Sequence, residues 1–442
     1  MITSFQLGNF KAFGTTQKIP IKPLTLIFGP NSAGKSSIIH GLLLLRHILA
    51  GKSVDARRVW HNEEAIDLGG FKEYVRDHNK DNVVDLAFQL DSDRAGAMEE
   101  WEKLQDDECP ILVHLSVGTR VKTPKLLKVS ISPDQTHPGA KPVTSPSSLL
   151  SETPATNSEF CRRMLADSLE ACGGESEADP TTWEFLTQNV DVLDVYYGIA
   201  VNSCFQQSLR EGFIAEPLYL GPLRSYPPRT FLFANETDPN YLSTGICAWD
   251  WVRADAGFRE SANEAMHRFG LQYRLGVVEW VNSEQPAESL KELYLLNENG
   301  IRLSHRDLGM GISQVLPVII QSVSAMGSFL IVEQPELHLH PALQAELGDL
   351  FIESALGPRH NTFLLETHSE HLILRILRRV RETTEDKLPA GTRPVRPEDV
   401  SVLFVEPTSQ GSVVRQLPVT PDGDFGAPWP GGFFAERFQD LP

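Results

Sequence analysis

The alternation of apolar and polar positions divides the chain into a strand-rich front, a mixed middle and a back half in which strands and helices take turns. Residues 2–10 and 20–28 read as strands flanking a polar turn, and 83–90 alternates as a half-buried strand does. The run Leu24-Thr-Leu-Ile-Phe28 is short and apolar at both parities, as in a strand buried on both faces of a parallel sheet. A helix is expected over 35–49, and others over 160–172 and 262–269. Two more apolar strands follow, Ser328-Phe-Leu-Ile-Val-Glu333 and Asn361-Thr-Phe-Leu-Leu-Glu-Thr-His368. The segment 132–158 is rich in Ser, Thr and Pro and reads as a loop or linker. No internal repeat is visible. The expected fold class is α/β, a core with a mixed sheet and a helical insertion. Its front half spans 1–90, the partly helical insertion 91–300, and the returning core 301–442.

Between the strand at 24–28 and the helix at 35 stands Gly29-Pro30-Asn31-Ser32-Ala33-Gly34-Lys35-Ser36-Ser37, the Gly-x-x-x-x-Gly-Lys-Ser pattern of a phosphate-binding loop. Gly29 and Gly34 let the backbone wrap closely, with N–H groups turned inward toward phosphate oxygens. Lys35 reaches the β and γ phosphates and the Ser36 hydroxyl suits Mg²⁺. The positive end of the following helix faces the same anions. Pattern, strand and helix together predict binding of a nucleoside triphosphate.

The strand ending at Glu333 has the form that holds the Mg²⁺ site opposite such a loop. Gln334-Pro-Glu336-Leu-His-Leu-His-Pro341 follows. The position after the metal acid commonly carries a Glu that polarises the attacking water, and here it is Gln334. An amide orients water but does not accept its proton as a carboxylate does. Glu336, two residues on, is a candidate to share that task. His368, at the end of the next strand, is placed to donate to the γ-phosphate and sense its presence. Leu308-Gly309-Met-Gly311-Ile-Ser313-Gln314 leads into an apolar run at 315–320, and small residues at a helix start present N–H groups to an anion. Within one subunit this is an ordinary helix start; opposite a second subunit's phosphate loop it completes the site.

Composition narrows the partners. The chain has 442 residues, 41% of them hydrophobic, and no apolar run long enough to cross a membrane. The start of the chain lacks a signal-peptide layout. Five scattered cysteines without a Cys-x-x-Cys pair support neither disulfides nor zinc, and a reducing cytoplasmic location is expected. The net charge of −18 does not support a whole-surface nucleic-acid binder, although a local basic patch is possible. Arg375, Arg378, Arg379 and Arg381 lie on one predicted helix, as a solvated face or as a contact for DNA or an acidic partner. Arg224 and Arg229, in a Pro-rich segment, pack a turn or reach a nucleotide or partner.

These elements, in this order, resemble ABC-type ATPases of the SMC and RecF kind, and more closely the prokaryotic OLD-like group (overcoming lysogenization defect). The shared pattern is acid-x-Pro-Glu-x-His-Leu-His-Pro followed by Thr-His-Ser. It covers residues 1–90 and 300–378. A narrower likeness, through Tyr219-Leu-Gly-Pro-Leu-Arg224, Gly311-Ile-Ser-Gln-Val-Leu-Pro317 and Trp429-Pro-Gly-Gly-Phe-Phe434, is to standalone bacterial ATPases often associated with defence against phage. The resemblance implies ATP and Mg²⁺ as ligands and slow ATP hydrolysis. It implies a homodimer or higher homo-oligomer in which each ATP lies between one phosphate loop and the opposite 309–311 signature. It also implies a separate effector protein, a nuclease among the possibilities. Two departures stand out. The signature usually reads Leu-Ser-Gly-Gly, and here Gly309 replaces its phosphate-binding Ser, leaving Ser313 or backbone N–H groups to serve. Gln334 replaces the catalytic Glu. Both point to a long-lived ATP state. The Q-loop of the family has two equal candidates, Gln89 and the segment Leu68-Gly-Gly-Phe71. A non-hydrolysing ATP-binding scaffold or sensor is the alternative. An intrinsic Toprim nuclease is faintly echoed by Glu406, Asp422 and Asp424, but only 36 residues follow Glu406. A Ras-like GTPase lacks its guanine-reading motif, because Asn79-Lys-Asp-Asn82 fails at the last place.

Overall fold

The protein was analysed as a computed structural model that describes residues 2–49, 52–59, 66–90, 111–120, 123–133, 217–225, 241–280, 290–304, 307 and 309–430. Its centre is a six-stranded mixed sheet. Five strands run parallel: β3 (Leu24–Phe28), β9 (Leu218–Leu220), β13 (Phe329–Glu333), β14 (Thr362–Glu366) and β15 (Val400–Thr408). β16 (Gly411–Leu417) closes one edge as an antiparallel hairpin, and the spatial order is β16-β15-β3-β14-β13-β9. The mixed α/β character expected from the sequence is therefore present.

Successive residues of a strand point to opposite faces, and here each face meets its own core. Leu24, Leu26, Phe28, Leu330, Val332, Phe363 and Leu365 face one layer of helices. That layer consists of α3 (Ile246–Ala254), α4 (Ala256–Arg268), α5 (Met310–Ser324), α6 (Pro341–Leu356) and α7 (Glu370–Thr384). Ile27, Ile331, Leu364 and Leu403 face the other way, onto α1 (Lys35–Leu49). Beyond α1 lies an antiparallel sheet with β1 (Ile2–Gly8), β2 (Gln17–Pro20), β6 (Val84–Leu90), β7 (Ile111–Arg120) and β8 (Thr123–Pro133), in the order β2-β1-β6-β7-β8. Gly41 of α1 lets the helix lie on Phe5, Leu7 and Phe10, where a Cβ would stand 3.2–3.6 Å from their carbons. Smaller elements include one strand pair, β4 (Arg58–Val59) with β5 (Ile66–Asp67), followed by the one-turn helix α2 (Phe71–Tyr74), and a three-stranded sheet of β10 (Tyr273–Trp280), β11 (Leu290–Asn297) and β12 (Arg302–Leu303).

Two expectations change. The strand expected over 20–28 is two strands in different sheets: β2 pairs with β1, and β3 lies between β14 and β15. Pro20 and Pro23 lack the N–H groups a continuous strand would need, and Lys22 N–H turns back to the Thr25 hydroxyl at 2.9 Å. Within the stretch read as an insertion, 91–300, β9 is hydrogen-bonded to β13 in the central sheet, and α3 and α4 share a hydrophobic core with α5. The helix expected over 262–269 falls within α4. The helix expected over 160–172 and most of the Ser/Thr/Pro-rich segment lie outside the described residues.

Candidate functional site

β3 delivers the chain to the phosphate loop, and glycine geometry shapes the turn. Gly29 has φ 149°, and a Cβ there would sit 2.4 Å from the Val405 carbonyl oxygen. Gly34 has φ 102°, and its Cβ would meet Ala12 Cβ at 2.7 Å. Both conformations disfavour any L side chain. Ser32 also takes a positive φ, 63°. Ala33 is buried, and its carbonyl accepts the Ser412 hydroxyl at 2.6 Å, which ties the loop to the β15–β16 hairpin. Pro30, Asn31 and Ser32 form an exposed rim. α1 starts at Lys35, and the Ser37 N–H closes on the Gly34 carbonyl at 3.0 Å.

Lys35 is buried, and its ammonium donates to the carbonyls of Gly29 and Pro30, both at 3.1 Å. Its Nζ also lies 3.8 Å from Glu366 Oε1. Burial pulls the Lys35 pKa down, and Glu366 and Glu333 act against that shift. The Ser36 hydroxyl faces two carboxylates, Glu333 Oε2 at 3.2 Å and Glu366 Oε2 at 2.8 Å. The parallel pairing of β13 and β14 puts Glu333 opposite Glu366. Tyr219 on β9 donates its hydroxyl to Glu333 Oε1 at 2.8 Å. Burial raises the Glu333 carboxyl to about 7, and the neighbouring Glu366 adds to the shift. The oxygen donors of Ser36, Glu333 and Glu366 form a hard set that fits Mg²⁺ better than a softer metal.

The chain leaves β13 through a tight turn. Gln334 has φ 46°, its N–H donates to the Glu366 carbonyl at 2.7 Å, and its carbonyl accepts from Leu337 N–H at 3.2 Å. Arg224 braces this turn from beneath. Its guanidinium donates to the carbonyls of Glu333 (2.6 Å) and Gln334 (3.1 Å), and its backbone exchanges hydrogen bonds with the Gln314 side chain at 3.2 and 2.8 Å. Arg224 is 5% exposed, and burial lowers its pKa to about 10. Both oxygens of Glu336 are engaged, one by the Thr367 hydroxyl (2.8 Å) and one by the His368 N–H (2.7 Å). Glu336 thus joins the loop after β13 to the loop after β14. The His368 ring is half-buried, and burial followed by the charge of Lys35 lowers its pKa, so it is neutral at pH 7.

The structure gathers Lys35, Ser36, Glu333, Gln334, Glu336 and His368 at the carboxyl ends of β3, β13 and β14. The signature differs in part. Gly309 and Met310 are exposed at the start of α5, and Gly311 allows a close approach, since a Cβ there would stand 2.5 Å from the His338 carbonyl. Ser313 is fully buried, so of the expected signature contacts the backbone N–H groups at 309–311 are the accessible ones. Leu308 and Arg229 lie outside the described residues.

Of the two Q-loop candidates, Gln89 is buried in β6, where it accepts the Ser4 hydroxyl at 3.0 Å, and the segment 68–71 leads into α2. The arginines of α7 are mostly neutralised. Arg379 and Arg375 pair with Asp349, Arg375 also with Glu346, and Arg378 with Glu382. Most of the basic patch considered for DNA is therefore internally paired. Glu406 pairs with Arg415, and among the described residues no cluster of three acidic, His or Cys side chains suits a metal, so the Toprim echo has no site there.

Sequence reasoning missed Glu366, Tyr219 and Lys11. Both apolar strands end in Glu, and equal strand ends in one parallel sheet were the available signal for Glu366. Lys11 Nζ lies 2.7 Å from His40 Nδ1, with Asp67 and Glu333 acting on its charge.

A family profile described as "AAA domain, putative AbiEii toxin, Type IV TA system" matches residues 248–375, the part that holds α5, the Glu333 strand and the Thr-His-Ser segment. A 59-residue stretch is 37% identical to the chromosome partition protein Smc of a Synechococcus strain, covering 13% of this chain and 5% of that protein. Among solved structures, an Smc head bound to the C-winged helix domain of ScpA aligns over 94% of this chain and 97% of its own, with 15% identity and a TM-score of 0.43. The SMC head domain from Thermotoga maritima aligns over 95% and 99%, with 12% identity and a TM-score of 0.43. Sheet, phosphate loop and acid-ended strands make this chain a P-loop α/β fold, similar over these stretches to ATPases of the AAA and SMC kinds.

Proposed function

We propose that the protein binds ATP with Mg²⁺ and hydrolyses it slowly, as a nucleotide-dependent switch for a partner effector. The observation that carries the reading is the convergence of Lys35, Ser36 and Glu333 beside a residue, Gln334, that cannot take up a proton. The phosphate loop and Lys35 would hold the β and γ phosphates, and Ser36 and Glu333 the metal. Bound Mg²⁺ would neutralise charge developing on the transferred phosphoryl group. His368, neutral and next to Lys35, is suited to donate a hydrogen bond to the γ-phosphate. Gln334 would orient the attacking water, and a rate limited by the missing base follows from that. Glu336 supports both loops through its bonds to Thr367 and His368.

The exposed start of α5 suits an ATP-held homodimer, in which the N–H groups at 309–311 of one subunit close over the other's nucleotide. The effector, a nuclease in an antiviral setting, is the part of the reading that rests on the family resemblance. Light scattering with and without ATP and Mg²⁺ tests the assembly: a doubled mass with ATP supports it, and a constant monomer mass rules it out.

A second reading, an ATP-binding scaffold without turnover, is favoured by the same Gln334. Phosphate release by Gln334→Glu separates the two. A raised rate means the missing base was limiting in a working hydrolase; two rates at background favour the scaffold.

A further inference from the structure

We propose that Glu366 is a second carboxylate of the divalent-cation site, sharing with Ser36 and Glu333 the ion that accompanies the triphosphate. The proposal rests on the reading of residues 29–37 as a triphosphate site. It adds to that reading an acid from the neighbouring strand.

The backbone places the pair. β13 and β14 are parallel and in register, so Glu333 and Glu366 leave the same end of the sheet on adjacent strands. Each buried carboxylate turns one oxygen to a separate partner. Tyr219 takes Glu333 Oε1 at 2.8 Å, and Lys35 stands 3.8 Å from Glu366 Oε1. Each then presents its Oε2 to the same Ser36 hydroxyl, at 3.2 and 2.8 Å. Three oxygens from three elements therefore converge on one point. A hydroxyl has one proton, so Ser36 satisfies only one of the two carboxylates at a time.

Charge argues the same way. Glu333 and Glu366 are 5% and 4% exposed, and two acids buried side by side repel unless a proton or a cation lies between them. Lys35 is the near cation, and a bound triphosphate would draw on its charge. A divalent ion among the three oxygens restores the balance, with water and phosphate oxygens completing its shell. A strand end that served packing alone would be satisfied by an apolar residue, as at Phe363, Leu364 and Leu365 of β14, where all five residues are buried.

The test uses the full chain and Mn²⁺ as the probe, with free ion followed by electron paramagnetic resonance. Titrations are run without nucleotide and with a non-hydrolysable ATP analogue. Glu366→Gln and Glu333→Gln are each expected to weaken Mn²⁺ binding about tenfold or more. Binding of a fluorescent ATP analogue in EDTA should be unchanged or tighter in Glu366→Gln, because a negative charge near the phosphates is gone. Mn²⁺ affinity within twofold of wild type in Glu366→Gln, with a clear loss in Glu333→Gln, overturns the proposal. Melting curves check folding. Should Glu366→Gln not fold, Glu366→Asp keeps the charge and withdraws the oxygens, and the same weakening is expected of it. If the wild type binds no ATP analogue under any condition, the triphosphate reading falls, and the nucleotide-free titration still judges the acid pair.

Discussion

The guanidinium of Arg224 donates to the carbonyl oxygen of Glu333 at 2.6 Å, from a position 5% exposed. The same side chain reaches the Gln334 carbonyl, and its backbone grips Gln314 on α5. Arg224 thus links the signature helix to the turn that carries Gln334, without touching the phosphate loop. Arg224→Lys keeps the charge and loses the fork, so one or more buried carbonyls go unsatisfied. The expected result is a fall of about tenfold in kcat with KM for ATP within twofold, equivalent to roughly 1.4 kcal/mol of transition-state stabilisation. Steady-state kinetics check it; a raised KM at unchanged kcat contradicts it.

Gly311→Ala is predicted to destabilise, against helix propensity. Inside an exposed helix this change would add about 1 kcal/mol of stability. Here the new Cβ would stand 2.5 Å from the His338 carbonyl, which is backbone and cannot step aside cheaply. A net loss of about 1–3 kcal/mol in urea unfolding is expected. ATP-dependent assembly should also weaken, as the first turn of α5 moves outward.

His40 supplies a pH dependence. It is half-buried beside Lys11, and burial, with the Lys11 charge adding to it, lowers its pKa to about 3. The unfolded chain binds this proton near pH 6.5 and the folded chain does not, so the unfolded state holds more protons between about 6.5 and 3. The His40 contribution to stability is complete above pH 6.5. It is lost as pH falls, with a slope approaching about 1.4 kcal/mol per pH unit. His40→Asn should flatten the stability curve between pH 6.5 and 5 relative to wild type, as urea denaturation at a series of pH values would show.

Asp349 holds α6 to α7. Arg379 grips both its oxygens, at 2.7 and 2.8 Å, and Arg375 shares one of them. Burial pushes the Asp349 carboxyl up, but Arg379 and Arg375 outweigh it and keep the group below its ordinary range. Asp349→Asn leaves two partly buried guanidinium groups short of a charge partner. A cost of about 2 kcal/mol is expected, with fluorescent ATP-analogue binding unchanged.

Much of the candidate site was legible in the sequence because local pattern and chemistry coincide there. A five-residue apolar strand, a glycine-bounded loop and a helix from Lys35 to Leu49 stand where the pattern put them. Four things escaped. The break between β2 and β3 lies in two prolines within an otherwise apolar stretch, and periodicity does not register a change of sheet. β9 is three residues long, too short to declare itself, yet it carries Tyr219 to Glu333. Arg224 looked like one cation in a Pro-rich turn, because its partners are backbone carbonyls 109 and 110 positions away. Trp429 read only as part of a tail motif, and it packs edge-on against Phe28 and Phe425, with ring centroids 5.3 and 4.9 Å apart.

Phosphate release from ATP in the presence of Mg²⁺, compared between the wild type and Lys35→Ala, tests the central claim most directly. Lys35 is the side chain with the least substitutable task, because its ammonium lies at the mouth of the loop between the Gly29 and Pro30 carbonyls and Glu366. The expected result is a slow wild-type rate that stands clearly above the Lys35→Ala background and rises when Gln334 becomes Glu. Wild-type release equal to the Lys35→Ala background, over hours and at saturating ATP, would contradict it.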